Sequence, residues 1–147
     1  MTPFIQSVLS VLGAFFVVAV LVGLTTTITA QLMLGPDGPG TEPTTAFLAV
    51  NLTYSVLFAI VGGYVAATVS DHSPLRHAAA LSVFMMLLGL TAWMLNGRQP
   101  APGQPDWYPW VINLLVPPTA ILGGILVTRR TRSRTRFSRR AREAQGP

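Results

Sequence analysis

Four times along this chain the polar and charged positions thin out for long enough to matter. Phe4 to Leu34, Ala46 to Ser70, Ala78 to Asn96 and Trp107 to Thr128 carry no charge and are mostly apolar. Each reaches or nearly reaches the ~20 residues that a helix needs to cross ~30 Å of hydrocarbon. The pattern predicts an all-α, transmembrane four-helix bundle over residues 1–128, with spans at about 5–31, 46–69, 75–96 and 107–128. Between the spans lie two Pro/Gly-rich loops, GPDGPGTEPTT (35–45) and GRQPAPGQPD (97–106), whose residues stop helices and suit solvated backbone. The shorter connection at 71–77 contains Ser73-Pro74, read as N-cap and first-turn proline of the third helix, and Asp106 is expected to cap the fourth. Residues 129–147 form an Arg-rich tail, expected to be disordered.

A weak repeat is visible within the spans. Leu21-Val22-Gly23-Leu24-Thr25 recurs as Leu87-Leu88-Gly89-Leu90-Thr91, and Asn51-Leu52 with Ile60-Val61-Gly62-Gly63 recurs as Asn113-Leu114 with Ile121-Leu122-Gly123-Gly124. Two tandem helical hairpins, related by an axis along the membrane normal, would produce it.

Lipid tails are as apolar as Leu, so helices in a bilayer associate where small side chains let backbones approach. Ser55, Ala59, Gly63 and Ala67 stand at every fourth position of the second span, with Gly62, Ala66 and Ser70 beside them. The first span offers Ala19, Gly23 and Thr27, and the fourth Ala120, Gly124 and Thr128, with Gly123 adjacent. These faces are expected to pack on one another within one chain or to leave one ladder for a homo-oligomer. Pro117-Pro118 in the fourth span predicts a kink, because it removes donors for the carbonyls of Asn113 and Leu114.

Polar positions in the spans gather toward the two long loops: Thr25, Thr26, Thr27, Thr29 and Gln31, then Asn51, Thr53 and Tyr54, then Asn113. In hydrocarbon such groups face the bundle and bond one another. Two readings stay open, interhelical glue and a small polar cavity formed by Thr25, Thr29, Gln31, Asn51, Tyr54 and Asn113. Trp93, Trp107, Tyr108 and Trp110 flank the second loop, where amphipathic rings favour the headgroup zone.

Charge adds orientation. Of the net +5, the tail holds eight Arg against Glu143, while residues 1–128 hold Arg76 and Arg98 against Asp37, Glu42, Asp71 and Asp106. An excess of Arg marks the cytoplasmic side of a bacterial inner membrane. Both termini and the 71–77 turn are therefore expected inside, and the Pro/Gly loops outside. The absence of Lys matches the codon bias of a GC-rich bacterial genome, and the absence of Cys excludes disulfides and thiolate chemistry. The first span is read as retained, since Met1-Thr2-Pro3 has no basic side chain and the apolar run far exceeds a signal core.

Candidate chemistry is sparse. No Asp, Glu, His, Lys or Arg lies deep in a span, which removes the usual general bases, metal ligands and proton relays, so no enzyme, cofactor or metal site is expected. Asp71, His72 and His77 are ordinary loop residues rather than a metal site. Small multidrug exporters share the four-span outline, but their membrane-embedded glutamate has no counterpart in the first span. Phage holins are likewise small and basic-tailed. The tail residues Arg129, Arg130, Arg132, Arg134, Arg136, Arg139, Arg140 and Arg142 suit adsorption to anionic lipids, worth roughly 1 kcal/mol each near the surface. They suit nucleic acid less, with Phe137 the one aromatic among them.

The GGYVAA segment (Gly62 to Ala67), the turn Ser73-Pro74-Leu75-Arg76-His77-Ala78, and Trp107-Tyr108-Pro109 with Leu122-Gly123-Gly124 resemble a broad group of uncharacterised four-span bacterial membrane proteins. The resemblance spans residues 46–128 and implies topology alone. The chain thus reads as a non-enzymatic structural or accessory membrane subunit with an unknown partner. A small channel or transporter for a neutral solute, oligomeric, is the alternative.

Overall fold

A computed structural model of the protein describes residues 3–38, 41–69, 73–100 and 102–144, with the side chains of all of these but 3, 4, 6 and 132–144. It holds four helices: α1 (Pro3–Leu34), α2 (Thr45–Thr68), α3 (Pro74–Leu95) and α4 (Tyr108–Ala144). Each contains a stretch long and apolar enough to cross a membrane. Only helices and closed barrels satisfy every backbone group without water, and here the helices do it alone. The chain is a multi-pass membrane protein with a four-helix bundle fold.

Local chemistry sets the helix ends. Gly35, at φ +97°, and Pro36 stop α1. Thr44 opens α2, its hydroxyl accepting from the Phe47 amide at 3.2 Å, a cap that the sequence reading passes over. At the end of α3 the amide of Arg98 donates to Trp93 O at 3.0 Å and that of Gly97 to Met94 O at 3.2 Å. This is the Schellman closure, and Gly97 supplies its left-handed residue at φ +69°.

One capping expectation holds in position alone and another fails. Ser73 occupies the cap of α3 with Pro74 in the first turn, but it sits at φ 109° and makes no side-chain cap bond. Asp106 falls short of α4, which starts at Tyr108. The tail also differs from expectation, because α4 remains helical to Ala144. No Gly or Pro interrupts residues 125–145, and Arg and Ala are good helix formers. The helix likewise passes through Pro117, which is buried, and Pro118, which faces outward.

Among the described residues α2 touches all three other helices, and α3 does the same, whereas α1 and α4 make no contact. The bundle is a rhombus with α2 and α3 across its short diagonal. Two hairpins are present, α1 with α2 and α3 with α4, but a two-fold relating them would make α4 meet α1 as α2 meets α3. The repeat in sequence has no counterpart in the packing.

Backbone contact holds the centre. A Cβ added at Gly63 would fall inside the Ala120 carbonyl, and one at Gly123 inside Ile60 O and the amide of Tyr64. Gly62 receives the methyl group of Val18 from α1, and Gly124 meets Ala78 of α3. Ser55, Ala59 and Ala67 are buried on α2 as well. Ser70, the last position proposed for this ladder, lies outside the described residues.

The first span is in a different register from the one expected. Its inward stripe is Ser10, Ala14, Val18, Val22, Thr26 and Ala30, each buried or half-buried at every fourth position. Gly23 has nothing within 4 Å of where a Cβ would be, and Ala19 and Thr27 are exposed beside it. The expected ladder sits one residue, or 100° of helix rotation, away from the packed face. Phe16, Leu32 and Leu114 are 68%, 79% and 74% exposed, a surface that water would penalise and lipid accepts.

Candidate functional site

At the end of the bundle bearing the two long loops, four side chains from three helices form a continuous hydrogen-bonded knot. The Tyr108 hydroxyl on α4 donates to Asn51 Oδ1 on α2 at 2.6 Å. Asn51 Nδ2 donates to the Tyr54 hydroxyl at 2.5 Å and lies 3.4 Å from Thr26 Oγ1. Tyr54 and Thr26, on α1, share a bond of 2.7 Å. Both tyrosines are buried, at 4% and 7% exposure, with Asn51 and Thr26 half-buried.

Each helix delivers its member by the same periodicity that packs the bundle. Tyr108 precedes Ala120 and Gly124 by 12 and 16 residues on one i+4 stripe, which turns it inward while Trp107 and Trp110 stay exposed. Thr26 belongs to the inward stripe of α1. Ala30, Phe47, Leu48 and Tyr108 form an apolar cluster beside the knot. In so dry a setting an unpaired hydroxyl or amide would cost roughly 1–3 kcal/mol, so the four groups satisfy each other.

The knot gathers only part of the expected cavity. Asn51 and Tyr54 are in it. Thr29 turns back to the carbonyls of Thr25 and Thr26, at 2.7 and 3.2 Å, and Gln31 is exposed. Asn113 donates to Pro109 O at 2.8 Å and lays its side-chain oxygen against Gly89 of α3. Tyr108, expected in the interfacial aromatic belt, is a buried member of the knot. Trp93 does pair with Trp110, ring centroids 4.7 Å apart.

Instead of one cavity, two clefts open on either side of the knot. One of about 360 Å³ lies between α3 and α4 and is lined by Trp93, Asn96, Gln104, Tyr108 and Asn113. The other, about 430 Å³, lies against α1 and α2 and is lined by Thr26, Glu42, Phe47 and Gln104. Tyr108 borders the first, Thr26 the second and Gln104 both.

At the opposite end, Arg130 donates to the Tyr64 hydroxyl at 3.1 Å, joining α4 to α2, and Arg129 is exposed. Arg132, Arg134, Arg136, Arg139, Arg140 and Arg142 have side chains outside the described set, as do Asp71 and His72 entirely. His77 faces its own helix start, with Nδ1 3.2 Å from Ser73 O. No group of three metal-ligating side chains occurs among the described residues.

The fold and the knot together define a four-span α-helical membrane protein whose interior polar groups are neutral hydroxyls and amides. No family model, curated protein or solved structure matches the chain.

Proposed function

We propose that the protein is a non-enzymatic structural or accessory subunit of a bacterial inner membrane, with both termini cytoplasmic. The observation that carries this reading is the closure of the bundle. Gly63 meets Ala120 backbone to backbone between α2 and α4, and Thr26, Asn51, Tyr54 and Tyr108 are occupied with each other. Groups so spent neither conduct an ion nor hold a reacting substrate. Orientation rests on the nine Arg at the end where α2 and α4 finish, against Arg98 with Asp37, Glu42 and Asp106 at the other. The tail arginines adsorb to anionic lipid, and either a partner subunit or a second copy covers the outward apolar faces.

Crosslinking in native membranes followed by purification tests the proposal. A stoichiometric membrane neighbour, or a discrete homo-oligomer, is the expected result; a solitary chain would contradict it. A second reading, a small channel or transporter for a neutral solute, draws on the amide-lined cleft between α3 and α4. Solute flux in proteoliposomes, abolished by a bulky residue at Ala92, which lines that cleft, would favour it over the first.

A further inference from the structure

The geometry points to a binding site for a single anionic phospholipid between α1 and α3, at the end of the bundle where both of these helices begin. A groove of about 630 Å³ opens there. Its walls are Val8, Val11 and Leu12 from α1 and Phe84 from α3, with Arg76 and His77 at its charged end. Phe15 closes edge-on against Phe84, ring centroids 5.1 Å apart, and so limits the groove toward the bundle centre.

The arrangement is that of an amphiphile's receptor. A cation sits at the level where helix α3 leaves the membrane, and apolar side chains extend from it along the helix axes into the hydrocarbon depth. Among the described residues, none that lines the groove is acidic. The start of α3 adds to the positive potential, because no acidic residue stands in its first turn and Ser73 makes no side-chain cap bond. A phosphate diester therefore meets a guanidinium and a helix dipole, while its acyl chain lies against Val8, Val11, Leu12 and Phe84. A neutral lipid gains only the second contact. Basic pockets between spans are a known way of retaining acidic headgroups. Tail adsorption, by contrast, is a diffuse property of many arginines and selects no single lipid.

Native mass spectrometry of the full-length protein in detergent, with dioleoyl phosphatidylglycerol or dioleoyl phosphatidylcholine added, tests this. The expected result is one tightly retained phosphatidylglycerol, held about five- to tenfold better than phosphatidylcholine. Arg76→Gln should remove that preference, and Ala80→Phe, which fills the groove without touching charge, should weaken both lipids. A variant with the arginines from 132 onward changed to Gln should keep the first bound lipid. Retained preference in the Arg76→Gln protein, or undiminished retention of both lipids by the Ala80→Phe protein, would overturn the assignment. So would loss of the first lipid on neutralising the tail alone. Displacement by millimolar sn-glycerol 3-phosphate would overturn the lipid and leave a phosphate site.

Discussion

Tyr108 and Asn51, 57 residues apart in the chain, are joined by a 2.6 Å hydrogen bond that ties the start of α4 to the start of α2. The bond also fixes the amide's orientation, since an oxygen held by Tyr108 turns the nitrogen toward Tyr54. Tyr108→Phe removes the donor and leaves a buried carbonyl oxygen behind. The expected loss is about 1 kcal/mol, within the range for interhelical bonds in membranes. Asn51→Leu should cost more, because it strands the Tyr108 hydroxyl and leaves Tyr54 with Thr26 alone. Reversible unfolding in mixed micelles measures both, and equal stability of Tyr108→Phe and the parent would count against the knot.

Gly63 and Gly23 make a matched pair of tests. Gly63→Ala drives a methyl group into the Ala120 carbonyl and must part α2 from α4, an overpacking expected to cost roughly 1–3 kcal/mol. Gly23→Ala meets open space on the lipid side and should be neutral or slightly stabilising, by up to about 1 kcal/mol from helix propensity. Melting temperatures in detergent should separate the two variants clearly.

The register of α1 predicts a contrast between neighbours. Thr26→Val breaks the link to Tyr54, whereas Thr27, exposed and bonded to its own Gly23 carbonyl at 3.0 Å, can become Val without consequence. A measurable loss from Thr26→Val alone, of about 0.6 kcal/mol or more, is expected in the same unfolding assay.

A natural background without cysteine makes sidedness simple to read. Gln99→Cys, in the loop between α3 and α4, should react with a membrane-impermeant maleimide in intact cells. Ala141→Cys should react only after the cells are permeabilised. The reverse pattern would invert the proposed orientation.

Hydropathy exposed the four helices because the need to bury backbone groups in lipid leaves few options. Gly97 marked the end of α3 for a similarly local reason. What escaped was rotation. In a span that is apolar all round, no amphipathic stripe announces the inward face, and Gly23 drew notice as a small residue when the neighbouring stripe of Ala14, Val18 and Thr26 does the packing. Tyr108 was obscured by its company: with Trp107 and Trp110 beside it, it resembles an interfacial ring. Counting back in fours from Gly124 and Ala120 would have turned it inward. The six residues weighed for a polar cavity do not come together, since Thr29 and Asn113 had carbonyls on their own helices within reach.

The missing contact between α1 and α4 bears on how the molecule is made. A ribosome delivers α1, α2 and α3 first, and these three adhere to each other without help from the fourth. Until α4 arrives, the Gly63 groove stays filled by lipid and the Asn51 amide lacks its tyrosine. Insertion of the last segment is then the step that expels lipid and locks the assembly, so a nascent chain halted before Tyr108 would persist as an unfinished trimer of helices for quality-control proteases to find.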